Sequence, residues 1–188
     1  MAATRNDNIQ DLIVNTTSEL LKTVSFSDIS LAMIAKQAHI SKGTLYYYYP
    51  HKDDILFEII DKYLTQLYEE LTIWVNSPKK DTNIRRLLTF VLDRGSGKTF
   101  GNLRLYLINE AISGSHSVRQ RYIERYRYFQ KEIKQLIAER LPAKNAGMLS
   151  WVILTLMDGI LIQGQLDNPD FNREQFIAFV VDELAQHL

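Results

Sequence analysis

The segment from Ser30 to Lys52 constrains this chain more than any other. Ser30 is suited to cap a helix, because its side-chain oxygen can accept from the free N–H groups of the next turn. Leu31, Ile34, Ala35 and Ala38 recur behind it at helical spacing, so a short helix with a small-residue face follows. His39 and Ile40 form a turn, Ser41 caps a second short helix and Pro50 stops it. Leu45 points back into the core, which leaves Ser41, Lys42, Gly43, Thr44, Tyr46 and Tyr47 facing outward. Small and hydroxyl-bearing residues at a helix start can approach a base edge or a phosphate closely. Lys52 stands at the start of the next helix. This is the layout of a helix-turn-helix whose second helix reads double-stranded DNA.

Nearly everything else also reads as helix. Ile9, Leu12, Ile13, Thr16, Leu20 and Leu21 make an apolar stripe on a first helix from about Arg5 to Lys22. Phe26 and Ile29 close a small core against Ile34 and Leu45. From Asp53, the series Ile55, Leu56, Ile59, Ile60, Tyr63, Leu64, Leu67, Leu71 and Trp74 marks a long fourth helix, broken at Asn76, Ser77 and Pro78. Thr82 can cap a fifth helix over 83–93, and Gly95 and Gly97 end it. A sixth runs from about Phe100 to Ser113, a loop follows at 114–117, and a charged, aromatic helix spans Val118 to about Leu141, before Pro142. The last two cover about 143–164 and 172–188, joined by a turn over Asp167–Asp170. No period-two pattern persists, so the expected fold is all-α, with about nine helices. Its expected division is a helix-turn-helix domain over residues 1–52 and a helical domain over 53–188.

Charge sets a condition on DNA binding. The 22 basic and 22 acidic residues cancel, and residues 1–52 carry five of the former against four of the latter. Phosphate neutralisation supplies most non-specific affinity, so binding must rely on placement: helix starts near Ser30, Ser41 and Lys52 can offer N–H groups to phosphates. The chain has no cysteine, which is consistent with a reducing compartment, and no apolar run at its N-terminus. Asp158, Gln163 or charged residues interrupt its longest apolar stretches. A cytoplasmic protein without a membrane span is the expectation.

Several apparent sites do not survive inspection. Arg94-Gly-Ser-Gly-Lys-Thr99 resembles the end of a phosphate-binding loop, but position 92 is leucine where that loop needs glycine, and no strand precedes it. Asn15-Thr16-Thr17 matches a glycosylation acceptor but lies inside a helix. The histidines at 39, 51, 116 and 187 have no i,i+4 pairing, and His187 reads as a charge at a helix end. Arg119, Arg121, Arg125, Arg127, Lys131 and Lys134 are interleaved with Glu124 and Glu132, as on an ordinary solvated face. No nucleophile–base pair, metal constellation or nucleotide loop remains, so neither an enzyme nor a cofactor is expected.

Two further features concern the second domain. Met148, Leu149, Val152, Ile153, Leu156, Met157, Ile160 and Leu161 make an apolar surface wider than one partner needs, and Phe176, Ile177, Phe179, Val180, Val181 and Leu184 do the same on the last helix. Such helices are covered either within one larger bundle or by a second subunit, through Val152, Ile153, Leu156, Ile160, Phe176, Val180 and Leu184. Tyr63, Leu67, Trp74, Leu88, Leu92, Leu103, Leu107, Tyr122, Tyr126 and Phe129 converge either as plain core or as an apolar pocket with a few polar tips.

The Ile-Ala-x-x-Ala helix, the run from Ile40 through Ser41, Lys42, Gly43, Thr44, Leu45 and Tyr46, the aromatic stretch and Lys52 together resemble the TetR family of bacterial transcriptional regulators. The detailed resemblance covers roughly the first sixty residues; beyond them only the helical layout agrees. One departure is His39, where the family usually has glycine; His tolerates positive φ better than most residues. The resemblance implies a homodimer with two recognition helices about 34–36 Å apart on a palindromic operator. It further implies an unknown small-molecule inducer that binds in the C-terminal domain, pulls the fourth helix and releases the DNA. On this reading Ser30, Ser41, Lys42, Gly43, Thr44, Tyr46, Tyr47 and Lys52 meet DNA, with Tyr46 and Lys52 on phosphates. The alternative is a DNA-binding architectural or adaptor protein without small-molecule input.

Overall fold

A computed structural model describes residues 3–77, 81–97, 101–113, 116–140 and 146–186, with the side chains of 3–7 excluded. The expectations at Pro78, Lys98, Thr99, Phe100, Gly114, Ser115, Pro142, Ala143 and His187 lie outside the described residues. Among those described there are nine α-helices and no strand: α1 (Ala3–Leu20), α2 (Leu31–Gln37), α3 (Lys42–Tyr48), α4 (Lys52–Val75), α5 (Ile84–Gly95), α6 (Gly101–Ser113), α7 (His116–Ala138), α8 (Ala146–Gln165) and α9 (Arg173–Gln186). A 3₁₀ turn, Phe26–Asp28, precedes α2.

The chain divides into two compact units, Met1–Tyr63 and Leu64–Leu188, so the boundary lies beyond residue 52. The first part of α4 is tied into the first unit by side chains. Lys62 pairs with Asp11 of α1 at 2.6 Å, and the Tyr49 hydroxyl donates to Glu58. The two serine caps explain the short helices. Ser30 Oγ accepts from Met33 N at 3.2 Å, and Ser41 Oγ accepts from Thr44 N at 2.9 Å. Between them His39 sits at φ 54°, with its N–H donating to Lys36 O and that of Ile40 to Ala35 O. These are the two bonds of a Schellman ending, with histidine in the left-handed position that glycine usually holds. Ile13, Ile34, Leu45, Ile55 and Leu56 are buried.

In the second unit, the later part of α4 and helices α5, α7, α8 and α9 share a core built from Leu71, Leu87, Leu88, Leu92, Ile137, Ile153, Leu154, Ile160, Ile177 and Val181, among others. Asn83, not Thr82, caps α5: its Oδ1 accepts from Arg86 N at 3.0 Å, in keeping with the stronger capping preference of asparagine. Arg173 fastens the start of α9 to the end of α5, donating to Asp93 Oδ1 at 2.7 Å and Ser96 Oγ at 3.1 Å. Helix α8 is long and apolar enough to cross a bilayer, with a mean hydropathy of 1.6. Its Leu149, Ile153, Leu154, Ile160 and Leu161 are buried, so it serves as the core helix of this unit.

That burial revises the expected dimer surface. Ile153 and Ile160 are each 1% exposed and Val180 is buried with them, because their faces of α8 and α9 already pack inside the unit. Leu156, Phe176 and Leu184 are partly buried against the same core. Of the expected set, Val152 stays exposed. With Met148 (73% exposed), Thr155, Gly159, Ile162 and Leu166 it forms a seam at alternating four- and three-residue steps, flanked by Trp151; Phe179 on α9 is exposed too. The space around Gly159 is open.

Candidate nucleic-acid interface and ligand cavity

Helix α3 presents a small polar surface. Lys42 and Gly43 are exposed, Tyr46 more than half so, and Tyr47 is 78% exposed. Leu45 and Tyr49 are buried and anchor the helix from behind. Tyr47 meets Tyr48 edge to face at 5.1 Å between centroids. Thr44 is half-buried, and its hydroxyl lies 2.8 Å from Ser41 Oγ. Ser30 and Ser41 are exposed, but each side-chain oxygen already caps its helix.

Lys52 does something the sequence reading missed. Its ammonium donates to three carbonyls, Phe26 O at 2.9 Å, Ile29 O at 3.2 Å and Ser27 O at 3.3 Å, and stands 4.6 Å from the centroid of the Phe26 ring. An ammonium has three protons, and here all three have acceptors. In the absence of DNA the side chain thus forms a clasp that closes the 3₁₀ turn onto the start of α4.

The second unit holds a partly open cavity of about 90 Å³. Leu67, Tyr122, Tyr126 and Phe129, expected from the sequence, line it. Tyr63, Trp74, Leu88, Leu92, Leu103 and Leu107 do not. Tyr63 belongs to the first unit, and Trp74 stacks on Phe90 at 5.1 Å. Leu88, Leu92 and Leu107 are fully buried in side-chain packing, and Leu103 is half-buried away from the cavity. In their place stand Tyr68, Phe90, Leu154, Met157 and five charged residues: Arg94, Arg104, Arg125, Glu132 and Asp158.

Two of these charges pair with each other, and Glu132 and Arg125 are held by tyrosine and aromatic rings. Arg104, nearly buried on α6, donates to Gly95 O at 2.7 Å, and its Nη2 lies 3.6 Å from Asp158 Oδ1. Tyr126 donates to Asp158 Oδ2 at 2.5 Å, Tyr122 to Arg104 O at 3.3 Å, and Tyr68 to Glu132. Asp158 Oδ1 accepts no hydrogen bond from the described residues. Burial pushes the Asp158 carboxyl above the ordinary carboxylate range, against the opposing pull of the Tyr126 hydroxyl and Arg104. Burial also pushes Tyr122 up to about 12, and the bond to Glu132 pushes Tyr68 up to about 12. Arg125 rests on the Tyr128 and Phe129 rings at 5.6 and 5.5 Å, its pKa lowered by burial. Gly95 gives the floor its shape: a Cβ there would overlap the terminal methyl of Met157. One signal for this site was present in the sequence, since Asp158 is the one charged residue in α8. A desolvated carboxylate among aromatic rings is chemically suited to an organic cation.

Comparison with known proteins agrees with both halves. Residues 13–59 match the family model of bacterial regulatory proteins of the tetR family, and residues 81–188 match the C-terminal domain of BetI-type transcriptional repressors. The HTH-type transcriptional regulator BetI of Vibrio atlanticus is 23% identical, over 94% of this chain and 90% of its own. A putative transcriptional regulator from Saccharomonospora viridis, crystallised in complex with choline, superposes with a TM-score of 0.75 at 16% identity, covering 96% of this chain and 97% of that one. A TetR transcription regulator from Haloarcula marismortui superposes with a TM-score of 0.74 at 19% identity, covering 97% and 98%. The chain thus belongs to the TetR family of bacterial transcriptional regulators, with a C-terminal domain of the BetI type.

Proposed function

We propose that this regulator is a homodimeric repressor released from a palindromic operator when a small organic cation enters the cavity of its second unit. Asp158 carries the ligand reading: inside an aromatic-lined cavity one of its oxygens has the Arg104 ion pair at 3.6 Å but no hydrogen-bond donor among the described residues. The guanidinium of Arg104 lies 3.6 Å from that carboxyl and is shared with Gly95 O. An ammonium-type ligand would share the Asp158 carboxylate with Arg104 and lie against the faces of Tyr122, Tyr126 and Phe129. Choline in the Saccharomonospora viridis neighbour is a ligand of this chemistry.

The exposed seam of α8, with Phe179, supports the dimer, because a contiguous apolar stripe facing water marks an interface. Residues 1–52 would carry the DNA contacts: Lys42, Gly43, Thr44, Tyr46 and Tyr47 toward the groove, and the helix starts at Ser30 and Ser41 beside phosphates. Residues 53–188 would hold the ligand and dimer surfaces. The test has two stages. Selection from a random DNA pool should return an inverted repeat, and choline should then be titrated into the protein with and without that DNA. Linkage requires operator DNA to weaken choline binding by the factor by which choline weakens DNA binding. Equal choline affinities in the two titrations would defeat the induction reading, and a single unrepeated half-site would defeat the dimeric one.

A further inference from the structure

At about 90 Å³, the cavity is smaller than the ~300–1,000 Å³ of sites that enclose drug-sized molecules, so it takes a headgroup rather than a long ligand. Two surface grooves share walls with it. The groove between α5 and α9 shares Phe90 and Arg94, but Arg85, Arg86, Asp93 and Asp182 also line it. The groove between α6 and α7 shares Tyr122 and Tyr126, and beyond them it is lined by Ile108, Ala111, Ile112 and Ile123. Its one charged residue, Arg119, donates to Ala111 O at 2.8 Å and Ile112 O at 3.1 Å, so that side chain caps the end of α6. Ile112 is 72% exposed and Ile123 44%, an unusual amount of branched aliphatic surface to leave in water beside a cavity.

From this continuity we propose that the α6–α7 groove is a second compartment of the ligand site and receives the alkyl tail of an amphiphile whose head occupies the cavity. The inference rests on the cation reading of Asp158 for the identity of the head, but not for the place of the tail. Two side chains, Tyr122 and Tyr126, line both spaces, so movement of the Tyr122 ring would join them without displacing backbone. Tyr126 is held by its bond to Asp158, whereas the hydroxyl of Tyr122 reaches Arg104 O only at 3.3 Å. The charged groove on the α5–α9 side would lay an alkyl chain against the Arg85–Asp182 and Arg173–Asp93 ion pairs and strip their water, which selects the α6–α7 side.

Calorimetric titration of the full-length protein with n-alkyltrimethylammonium ions from ethyl to decyl tests this, with n-alkanoates of the same lengths as a second series. Affinity should rise about fourfold per methylene once the chain outgrows the cavity. Ile112→Asp and Ile123→Asp, both at exposed positions, should abolish that increment while leaving the ethyl compound's affinity unchanged. If the ammonium series binds with an increment that neither substitution alters, the groove is not the tail site, although the cation reading stands. If only the alkanoates bind, with an increment lost in both variants, the groove stands and the cation reading falls. Binding by neither series, or no increment in either, overturns the proposal. So does sedimentation showing that Ile112→Asp or Ile123→Asp splits a dimer, since the groove would then be a subunit contact.

Discussion

Replacing Lys52 with methionine separates a structural role from a DNA-contacting one. Methionine keeps the stem beside Phe26 but removes the ammonium and with it the bonds to Phe26 O, Ile29 O and Ser27 O. The first two acceptors are partly buried, and a charge-assisted bond to each is worth about 1 kcal/mol after rehydration of the freed carbonyl. The bond to Ser27 O is exposed and adds little. The cation over the Phe26 ring contributes about 0.5–1 kcal/mol. The loss is therefore about 2–3 kcal/mol, a fall in Tm of roughly 5–10 °C for a chain of this size. Thermal unfolding followed by circular dichroism measures it. The companion assay is fluorescence anisotropy with operator DNA over a range of salt concentrations. A lysine that neutralises a phosphate contributes about 0.9 to the slope of log affinity against log salt; a clasp contributes nothing. An unchanged Tm together with a slope flattened by that amount would refute the clasp and return Lys52 to the phosphate backbone.

Three further outcomes follow from the same geometry. His39→Gly should raise stability by about 0.5–1 kcal/mol, because glycine adopts φ near 54° without a Cβ penalty; a lower Tm would mean that the imidazole makes a compensating contact. Gly159→Leu should yield folded monomers in sedimentation, since it fills the open space along the α8 seam, whereas Ile153→Glu should unfold the second unit by burying a carboxylate in its core; a folded monomeric Ile153→Glu would place the interface elsewhere. Asp158→Asn should weaken choline binding about tenfold or more. It should also change the pH profile. Because burial raises the folded-state pKa of Asp158 above its unfolded value, the ionised group destabilises the ligand-free fold, fully above the folded pKa and not at all below the unfolded one. Wild type should therefore gain stability relative to Asp158→Asn as pH falls through that folded pKa, and parallel profiles for the two would contradict the assignment.

The local rules of helix formation made the fold legible. Ser30 and Ser41 could be read as caps because one side-chain type and one spacing suffice, and the helix ends at Ser113 and near Gly95 followed from residues that stop helices. The cavity was harder to read. Period 3.6 tells which face of α5 is apolar, but Leu88 and Leu92 on that face meet other side chains, while Phe90 and Val91 border empty space. Whether packing is complete depends on the sum of many shapes, and no window of sequence contains that sum. The Arg104–Asp158 pair joins two distant helices for the same reason. The Lys52 clasp was missed because its partners are backbone carbonyls, which leave no trace in side-chain patterns.

The meeting of Gly95 and Met157 has an evolutionary consequence. The floor of the cavity is set by a thioether resting where the glycine has no side chain, and methionine repacks more readily than a branched residue. A single change from glycine to alanine would evict that methyl group toward the cavity and shrink it, while the rest of the domain kept its architecture. Shortening Met157 would do the reverse. Two codons could thus retune which molecule fits the cavity, leaving the helix-turn-helix untouched. Paralogues that diverge first at 95 and 157 would be the expected record of a regulator changing its chemical signal.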